Sequence, residues 1–155
     1  QGDVMKESMN VALTLAWNLT PYHIKKELRE NHASDSTING VHIHCPEGSV
    51  PKDGPSAGTA ITTAIYSMFN NIKIKYDIAI TGEISLDGNV TEIGGLDLKI
   101  LGAIKAGVKE IIFPSENIKD YNNFMDKYKE SEIVKDIKFH PVNTITEVFE
   151  LVFED

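Results

Sequence analysis

The sequence has few of the features that mark secreted, membrane-spanning or nucleic-acid-binding proteins. Its one cysteine, Cys45, cannot form an internal disulfide bond, which indicates a reducing compartment. No apolar run approaches the about 20 residues that cross a bilayer, and no signal peptide is recognisable at the start. The formal net charge is -8 and lysine and arginine form no run, so neither nucleic acid nor a membrane is an expected partner.

Motifs for a nucleotide or metal site are also missing. The phosphate-binding pattern G-x-x-x-x-G-K-[ST] does not occur, so we expect no cofactor on this chain. A predicted strand over residues 40–45 has His42 and His44 on one face, but no third ligand stands at a spacing such as H-E-x-x-H. We therefore expect no metal site. Cys45, on the apolar face of the same strand, is expected to be an inert core residue rather than a nucleophile.

What the sequence contains fits a single globular domain over residues 1–155. Apolar residues make up 41% and charged residues 25%, which suffices for an ordinary core. Helical and strand patterns interleave, which predicts an α/β or α+β fold. Helices are predicted to begin near Asp3, Pro21, Ala57, Leu96, Ser115 and Thr144, and strands at 40–45, 76–84, 108–113 and 137–142. Asp87-Gly88 predicts a tight hairpin, and Thr144 with Glu147 predicts a helix-capping box.

Residues 51–58 form a rigid loop that leads into a helix and carries one hydroxyl residue, Ser56. Pro51 and Pro55 fix the backbone, while Gly54 permits a sharp turn. Helical spacing follows in the apolar residues Ala57, Ala60, Ile61, Ala64, Ile65, Met68 and Phe69. The free N–H groups of a helix start can stabilise an anion formed beside the serine. Ser56 is therefore either a nucleophile next to an oxyanion hole or only the N-cap of this helix.

A second segment, I-G-G-L-D-L-K-I-L at residues 93–101, offers a base. Gly94 and Gly95 open a predicted helix whose apolar stripe leaves Lys99 beside the buried face rather than opposite it. A lysine held against apolar surface is partly desolvated, and desolvation favours its neutral, basic form. Lys99 is therefore either the base that activates Ser56 or an ordinary exposed lysine.

Together, P-K-D-G-P-S-A-G at residues 51–58 and G-G-L-x-x-K at residues 94–99 resemble the proteolytic domain of Lon proteases, also called endopeptidase La. The resemblance covers nearly the whole chain and includes residues 2–8, 42–44, 46–48, 81–83 and 111–114. In that family the serine of P-S-A-G is the nucleophile and the second lysine of G-G-L-K-E-K is its partner. The resemblance thus assigns a catalytic dyad to Ser56 and Lys99. Asp97 stands where the family has the first lysine.

The resemblance also implies a fold and a working context. The fold is the compact Lon proteolytic domain, similar to domain 2 of ribosomal protein S5. The expected activity is ATP-dependent serine endopeptidase action on misfolded or unfolded polypeptides, in a homo-hexamer of the full-length protein. ATP and Mg are expected on a preceding ATPase domain, and the start at Gln1, directly before a helix pattern, suggests a fragment of such a longer chain. The expected location is intracellular and soluble, in bacterial cytoplasm or mitochondrial matrix.

Five further residues are implied to support the dyad. Thr81 is expected to hydrogen-bond the ammonium group of Lys99, with Glu83 nearby. Asp53 belongs to the active-site loop, and His42 and His44 are expected to support that loop through hydrogen bonds. The alternative is a Lon-like domain that binds or oligomerises without proteolysis, as non-peptidase relatives of the same fold do. Retention of both Ser56 and Lys99 argues against that alternative.

Overall fold

The computed structural model describes residues 2–31 and 54–154 of the chain. The predicted strand at 40–45, with His42 and His44, lies outside the described residues, and so does Asp53. The helices are α1 (Gly2–Leu19), α2 (Tyr22–Asn31), α3 (Gly58–Asn70), α4 (Leu96–Lys105), α5 (Ile118–Tyr128) and α6 (Ile145–Val152). The strands are β1 (Ile78–Ile80), β2 (Glu83–Ile84), β3 (Val90–Thr91), β4 (Glu110–Pro114) and β5 (Lys138–Val142).

Strands β1, β4 and β5 form a parallel sheet in which β4 is the central strand. Side chains of a strand alternate between the two faces of a sheet, and β4 shows this directly. Ile112 packs with apolar residues of α1, α3 and α6 on one face. Ile111 and Phe113 pack with residues of α4 and α5 on the other face. Helices therefore cover both faces of a parallel sheet, which confirms the α/β prediction.

A second, two-stranded sheet corrects the prediction of one strand over residues 76–84. The structure divides that segment into β1 and β2, because Gly82 between them has a backbone φ of 149° that breaks the strand. After this break, β2 pairs antiparallel with β3. The hairpin predicted at Asp87-Gly88 is confirmed, and it closes through a hydrogen bond from the Ser85 N–H to the Asn89 carbonyl at 3.0 Å.

Helix boundaries agree with the sequence where the capping chemistry is local. Thr144 accepts a hydrogen bond from the Glu147 backbone, and the Glu147 side chain accepts from the Thr144 backbone, so the predicted capping box is present. The first helix begins at Gly2, so Asp3 lies inside it and is not its N-cap. Helix α3 begins at Gly58, since a 3-10 turn occupies Gly54–Ala57.

An ion-pair cluster lies at the opposite end of the sheet from Gly82, where β4 begins. The Glu110 carboxylate is 3.0 Å from Nε2 of His140 on β5 and 3.5 Å from Nζ of Lys75. Burial by itself would raise the pKa of Glu110, but the hydrogen bond to His140 and the charge of Lys75 outweigh it. The pKa of Glu110 therefore lies below its usual value.

Replacing Glu110 should weaken the fold in a pH-dependent way. Because the folded-state pKa of Glu110 is lowered, its charge stabilises the fold above about pH 4.5, and this contribution is lost as the pH falls through the folded pKa. We expect Glu110→Gln to lower the free energy of unfolding by about 1 kcal/mol at pH 7. Urea unfolding should show this difference shrinking as the pH falls below about 4.5 and through the lowered pKa of Glu110.

The matched control is Glu132→Gln, because Glu132 forms an exposed pair with Lys135 at 3.9 Å. Its effect at pH 7 should stay below about 0.3 kcal/mol. If Glu110→Gln lowers the free energy of unfolding by the same amount at pH 7 and pH 3, the cause is lost packing and not lost charge.

Candidate active site

Ser56 lies in the 3-10 turn Gly54–Ala57, immediately before helix α3. The N-cap position of α3 is held by Ala57, which makes no side-chain capping hydrogen bond. Ser56 therefore lies one position ahead of the N-cap residue of α3. The side chain of Ser56 is half-buried, at the end of the helix whose N–H groups carry its partial positive charge.

The backbone of this turn is joined to the segment that follows β1. The N–H of Gly82 donates to the carbonyl of Ser56 at 3.0 Å, and the N–H of Thr59 donates to the carbonyl of Gly82 at 3.0 Å. The Thr59 hydroxyl donates further along the chain, to the carbonyl of Glu83 at 3.4 Å. We call this set of contacts the serine clamp. Through it, the sheet determines where the Ser56 backbone lies.

The serine clamp requires two glycines at its centre. A Cβ atom on Gly82 would lie 2.6 Å from Cγ1 of the buried Val90 and 3.0 Å from Oγ1 of Thr59. A Cβ atom on Gly58 would lie 2.8 Å from Cγ2 of Ile84. Glycine at these positions therefore allows the first turn of α3 to approach the sheet closely.

Lys99 lies in the first turn of α4. Gly95, in the left-handed conformation with φ 69°, is the N-cap and accepts a hydrogen bond from the N–H of Lys99 at 3.1 Å. Leu96 and Ile100 on either side are buried against the sheet, while the Lys99 side chain is half-buried. This agrees with the expectation that Lys99 lies beside the apolar stripe.

Thr81 and Glu83 flank Gly82 but differ in burial. The side chain of Thr81 is 6% exposed, and its Oγ1 has no hydrogen-bond partner within residues 2–31 and 54–154. The hydrogen bond that we expected between Thr81 and Lys99 is therefore not formed in this structure. Glu83 begins β2 with an exposed side chain.

Sequence reasoning missed Asn117, the buried residue that holds the segment before α4. It lies in the 3-10 turn Ser115–Asn117 that follows β4, and it is 1% exposed. Its amide accepts from the N–H of Ile93 at 2.9 Å and donates to the carbonyl of Ile93 at 2.8 Å. Asparagine after proline and serine is typical of a turn, so nothing in the sequence indicated a buried contact.

Within the part of the chain that the structure describes, no three His, Cys, Asp or Glu side chains are grouped as metal ligands. None of the helices over residues 2–31 and 54–154 is long and apolar enough to cross a membrane.

The chain belongs to the family of Lon protease (S16) C-terminal proteolytic domains, whose model matches residues 1–155. It is 45% identical over 155 residues to the Lon protease of Fusobacterium nucleatum, covering 98% of this chain and 18% of the relative. To the Lon protease of Fervidobacterium nodosum it is 43% identical, covering 99% of this chain and 17% of the relative. The Lon protease homolog, mitochondrial, of Phaeodactylum tricornutum is 41% identical over 152 residues, covering 98% of this chain and 16% of the relative.

These comparisons confirm the resemblance and the fold class. The chain spans 16% to 18% of the length of the three relatives, so it corresponds to one part of each of them.

Alanine at position 82 should disrupt the serine clamp. Because its Cβ would meet Val90 at 2.6 Å and φ at this position is 149°, we expect Gly82→Ala to cost about 2–4 kcal/mol of unfolding free energy. The control is Gly102→Ala in α4, where an added Cβ meets nothing within 4 Å. That variant should gain about 0.5–1 kcal/mol in the same urea titration. Equal stability of the two variants would contradict the close approach described for Gly82.

Proposed function

We propose that this chain is a serine endopeptidase domain in which Ser56 is the nucleophile and Lys99 is the general base. The observation that carries the proposal is that two neighbouring parallel strands support the two segments. The serine clamp follows β1, and Asn117, which binds Ile93 just before α4, follows β4. Neighbouring strands are about 4.8 Å apart, so both segments start from adjacent points on one edge of the sheet. Membership of the Lon proteolytic-domain family supports the same assignment.

The proposed reaction passes through an acyl-enzyme. Neutral Lys99 Nζ accepts the proton of Ser56 Oγ while that oxygen bonds to the carbonyl carbon of the substrate peptide. The tetrahedral intermediate then breaks its C–N bond, the Lys99 ammonium donates its proton to the leaving amine, and an ester remains on Ser56. Water attacks this ester with Lys99 again acting as base. The carboxylic acid product leaves, and Ser56 regains its hydroxyl.

The negative charge of the intermediate needs hydrogen-bond donors near Ser56. The start of α3 offers backbone N–H groups and the positive end of the helix dipole. The N–H of Thr59 is already bonded to the carbonyl of Gly82, so it is not one of these donors. The serine clamp thus fixes the orientation of the turn that would hold these donors.

The proposed substrate is an extended, unfolded polypeptide, and the proposed setting is a larger ATP-dependent protein. A peptidase that acts on backbone carbonyls requires an accessible chain, which stably folded proteins expose only by opening. We propose that ATP and Mg act on a separate ATPase domain of a homo-hexameric protein; the relatives are about six times as long as this chain, which leaves room for such a domain. Bacterial cytoplasm or mitochondrial matrix remains the predicted location.

Removal of either proposed catalytic group should abolish peptide cleavage. Ser56→Ala lacks the nucleophile, Lys99→Ala lacks the base, and Lys99→Arg keeps a cation that cannot accept a proton. Each should lower kcat/KM for a short fluorogenic peptide by about 10³-fold or more.

The control for these variants is Lys105→Ala, because Lys105 is an exposed lysine in the last turn of the same helix. It should keep nearly full activity, and circular dichroism should show the same helix content for all four variants. Near wild-type turnover by Lys99→Ala would reject the dyad. Failure of the unsubstituted chain to cleave the peptide would favour the alternative, a Lon-like domain that binds without proteolysis.

The 155-residue chain should cut without help from ATP and should not unfold its substrates. We expect it to degrade a permanently unfolded variant of a stable protein and to spare the folded parent, equally with and without ATP-Mg. Gel electrophoresis of both substrates over time measures this. ATP-stimulated loss of the folded parent would mean that energy enters through this chain, against the proposal.

A further inference from the structure

The contact between Asn117 and Ile93 is a complete set of hydrogen bonds made by a buried side chain. Besides its two bonds to the Ile93 backbone, the Asn117 amide donates its other N–H to Oδ2 of Asp120 at 2.8 Å. The Asp120 carboxylate thereby fixes which end of the amide donates and which accepts. Next to it, Oε1 of Glu116 accepts the N–H of Glu92 at 2.8 Å. The turn after β4 therefore hydrogen-bonds to two consecutive residues, Glu92 and Ile93.

The hydrogen bonds from Asn117 hold Ile93, which lies three residues before the first residue of α4, Leu96. Only Gly94 and Gly95 separate Ile93 from the first residue of the helix, and glycine restrains the backbone least. No side chain caps α4. The packing of Leu96 and Ile100 holds the helix against the sheet, but apolar contact is not directional. The hydrogen bonds to Ile93 are directional, so they determine the orientation of the backbone that enters α4.

Asn117 holds the segment that leads to Lys99 in the same way that Gly82 holds the segment of Ser56. Each follows the end of a strand, and the two strands are paired, with Ile80 beside Ile112 and the Thr81 N–H bonded to the Ile112 carbonyl at 3.1 Å. One hydrogen-bonds the segment of Ser56, and the other hydrogen-bonds the segment that leads to Lys99. The distance between the two segments therefore depends on one backbone contact at each strand end.

We propose that Asn117 is a positioning residue for peptide cleavage, which fixes the start of α4 and so holds the Lys99 amine at its working distance from Ser56. This inference rests on the proposed Ser56–Lys99 function. Asn117 acts through its hydrogen bonds to the Ile93 backbone and takes no part in proton transfer. Its loss should slow the chemical step, because small displacements of a catalytic group have large effects on rate.

The main test compares Asn117→Ala with Val134→Ala in the full protein. Val134 is buried in the same apolar cluster as Ile93, so its truncation matches a loss of stability without touching the hydrogen bonds. For Asn117→Ala we expect a kcat lower by about 10- to 100-fold and a KM for a short peptide within about twofold of wild type. Labelling of Ser56 by a fluorophosphonate probe should slow by the same factor. Val134→Ala should keep both rates.

Asp120 gives a second, milder pair of variants should Asn117→Ala fold poorly. Its side chain is exposed and lines an open cleft between α4 and α5, so truncation leaves no buried cavity. Asp120→Ala removes the acceptor that orients the Asn117 amide, and should lower kcat by about 3- to 10-fold with little change in melting temperature. Asp120→Asn keeps an acceptor oxygen and should stay within about twofold of wild type.

The outcomes separate this inference from the proposed function. If Ser56→Ala and Lys99→Ala are inactive while Asn117→Ala or Asp120→Ala keeps a wild-type kcat, the positioning role is rejected and the dyad stands. A raised KM at unchanged kcat, or an equal loss in Val134→Ala, also rejects the positioning role. If Lys99→Ala remains active, both proposals fall together. Slow chemistry at constant KM in Asn117→Ala, with Val134→Ala unaffected, supports the inference.

Discussion

The parallel pairing of β1 with β4 is the interaction on which the rest of the candidate site depends. Helix α3, which follows Ser56, packs on one face of the sheet, and helix α4, which carries Lys99, packs on the other. The two helices therefore share no common surface that could set their spacing, and the ends of the two paired strands are their common reference. The pairing places Ile78 beside Glu110, Ala79 beside Ile111 and Ile80 beside Ile112, so the ends of the two strands lie next to each other.

The two sides of the site are held by different chemistry, with different consequences for substitution. The serine side uses two backbone hydrogen bonds and one from the Thr59 hydroxyl, and it requires that Gly82 and Gly58 have no Cβ. The lysine side uses the side chain of Asn117, whose amide offers one acceptor and two donors in a fixed plane. Substitutions at Gly82 and Gly58 are therefore limited by side-chain size, whereas substitutions at Asn117 are limited by the need for an acceptor and two donors. Thr81, between them, keeps a buried hydroxyl without a partner among residues 2–31 and 54–154.

Local chemistry made much of the fold predictable, and long-range contacts made the rest unpredictable. The capping box of Thr144 and Glu147 and the Asp87-Gly88 hairpin need only neighbours along the chain, and both were predicted correctly. The continuous strand predicted over 76–84 was wrong, because Gly82 breaks it with a φ of 149° and bonds instead to Ser56 and Thr59, contacts that no local pattern reports. Asn117 was missed for a similar reason, since its partner lies 24 residues away. Motif resemblance identified Ser56 and Lys99 as candidates, but not the contacts that hold their segments.

The crossover from β1 to β4 also determines when the site can form during folding. The hydrogen bond between Ser56 and Gly82 closes one loop of more than 20 residues, and the bond between Ile93 and Asn117 closes another. The two loops are joined by the pairing of β1 with β4. Contacts of this kind form late, because the chain must lose loop-closure entropy before the sheet compensates for it. A nascent or partly unfolded copy therefore has its serine and lysine segments unassembled. On the proposed function, a chain therefore has no assembled pair of Ser56 and Lys99 segments until its own sheet has formed.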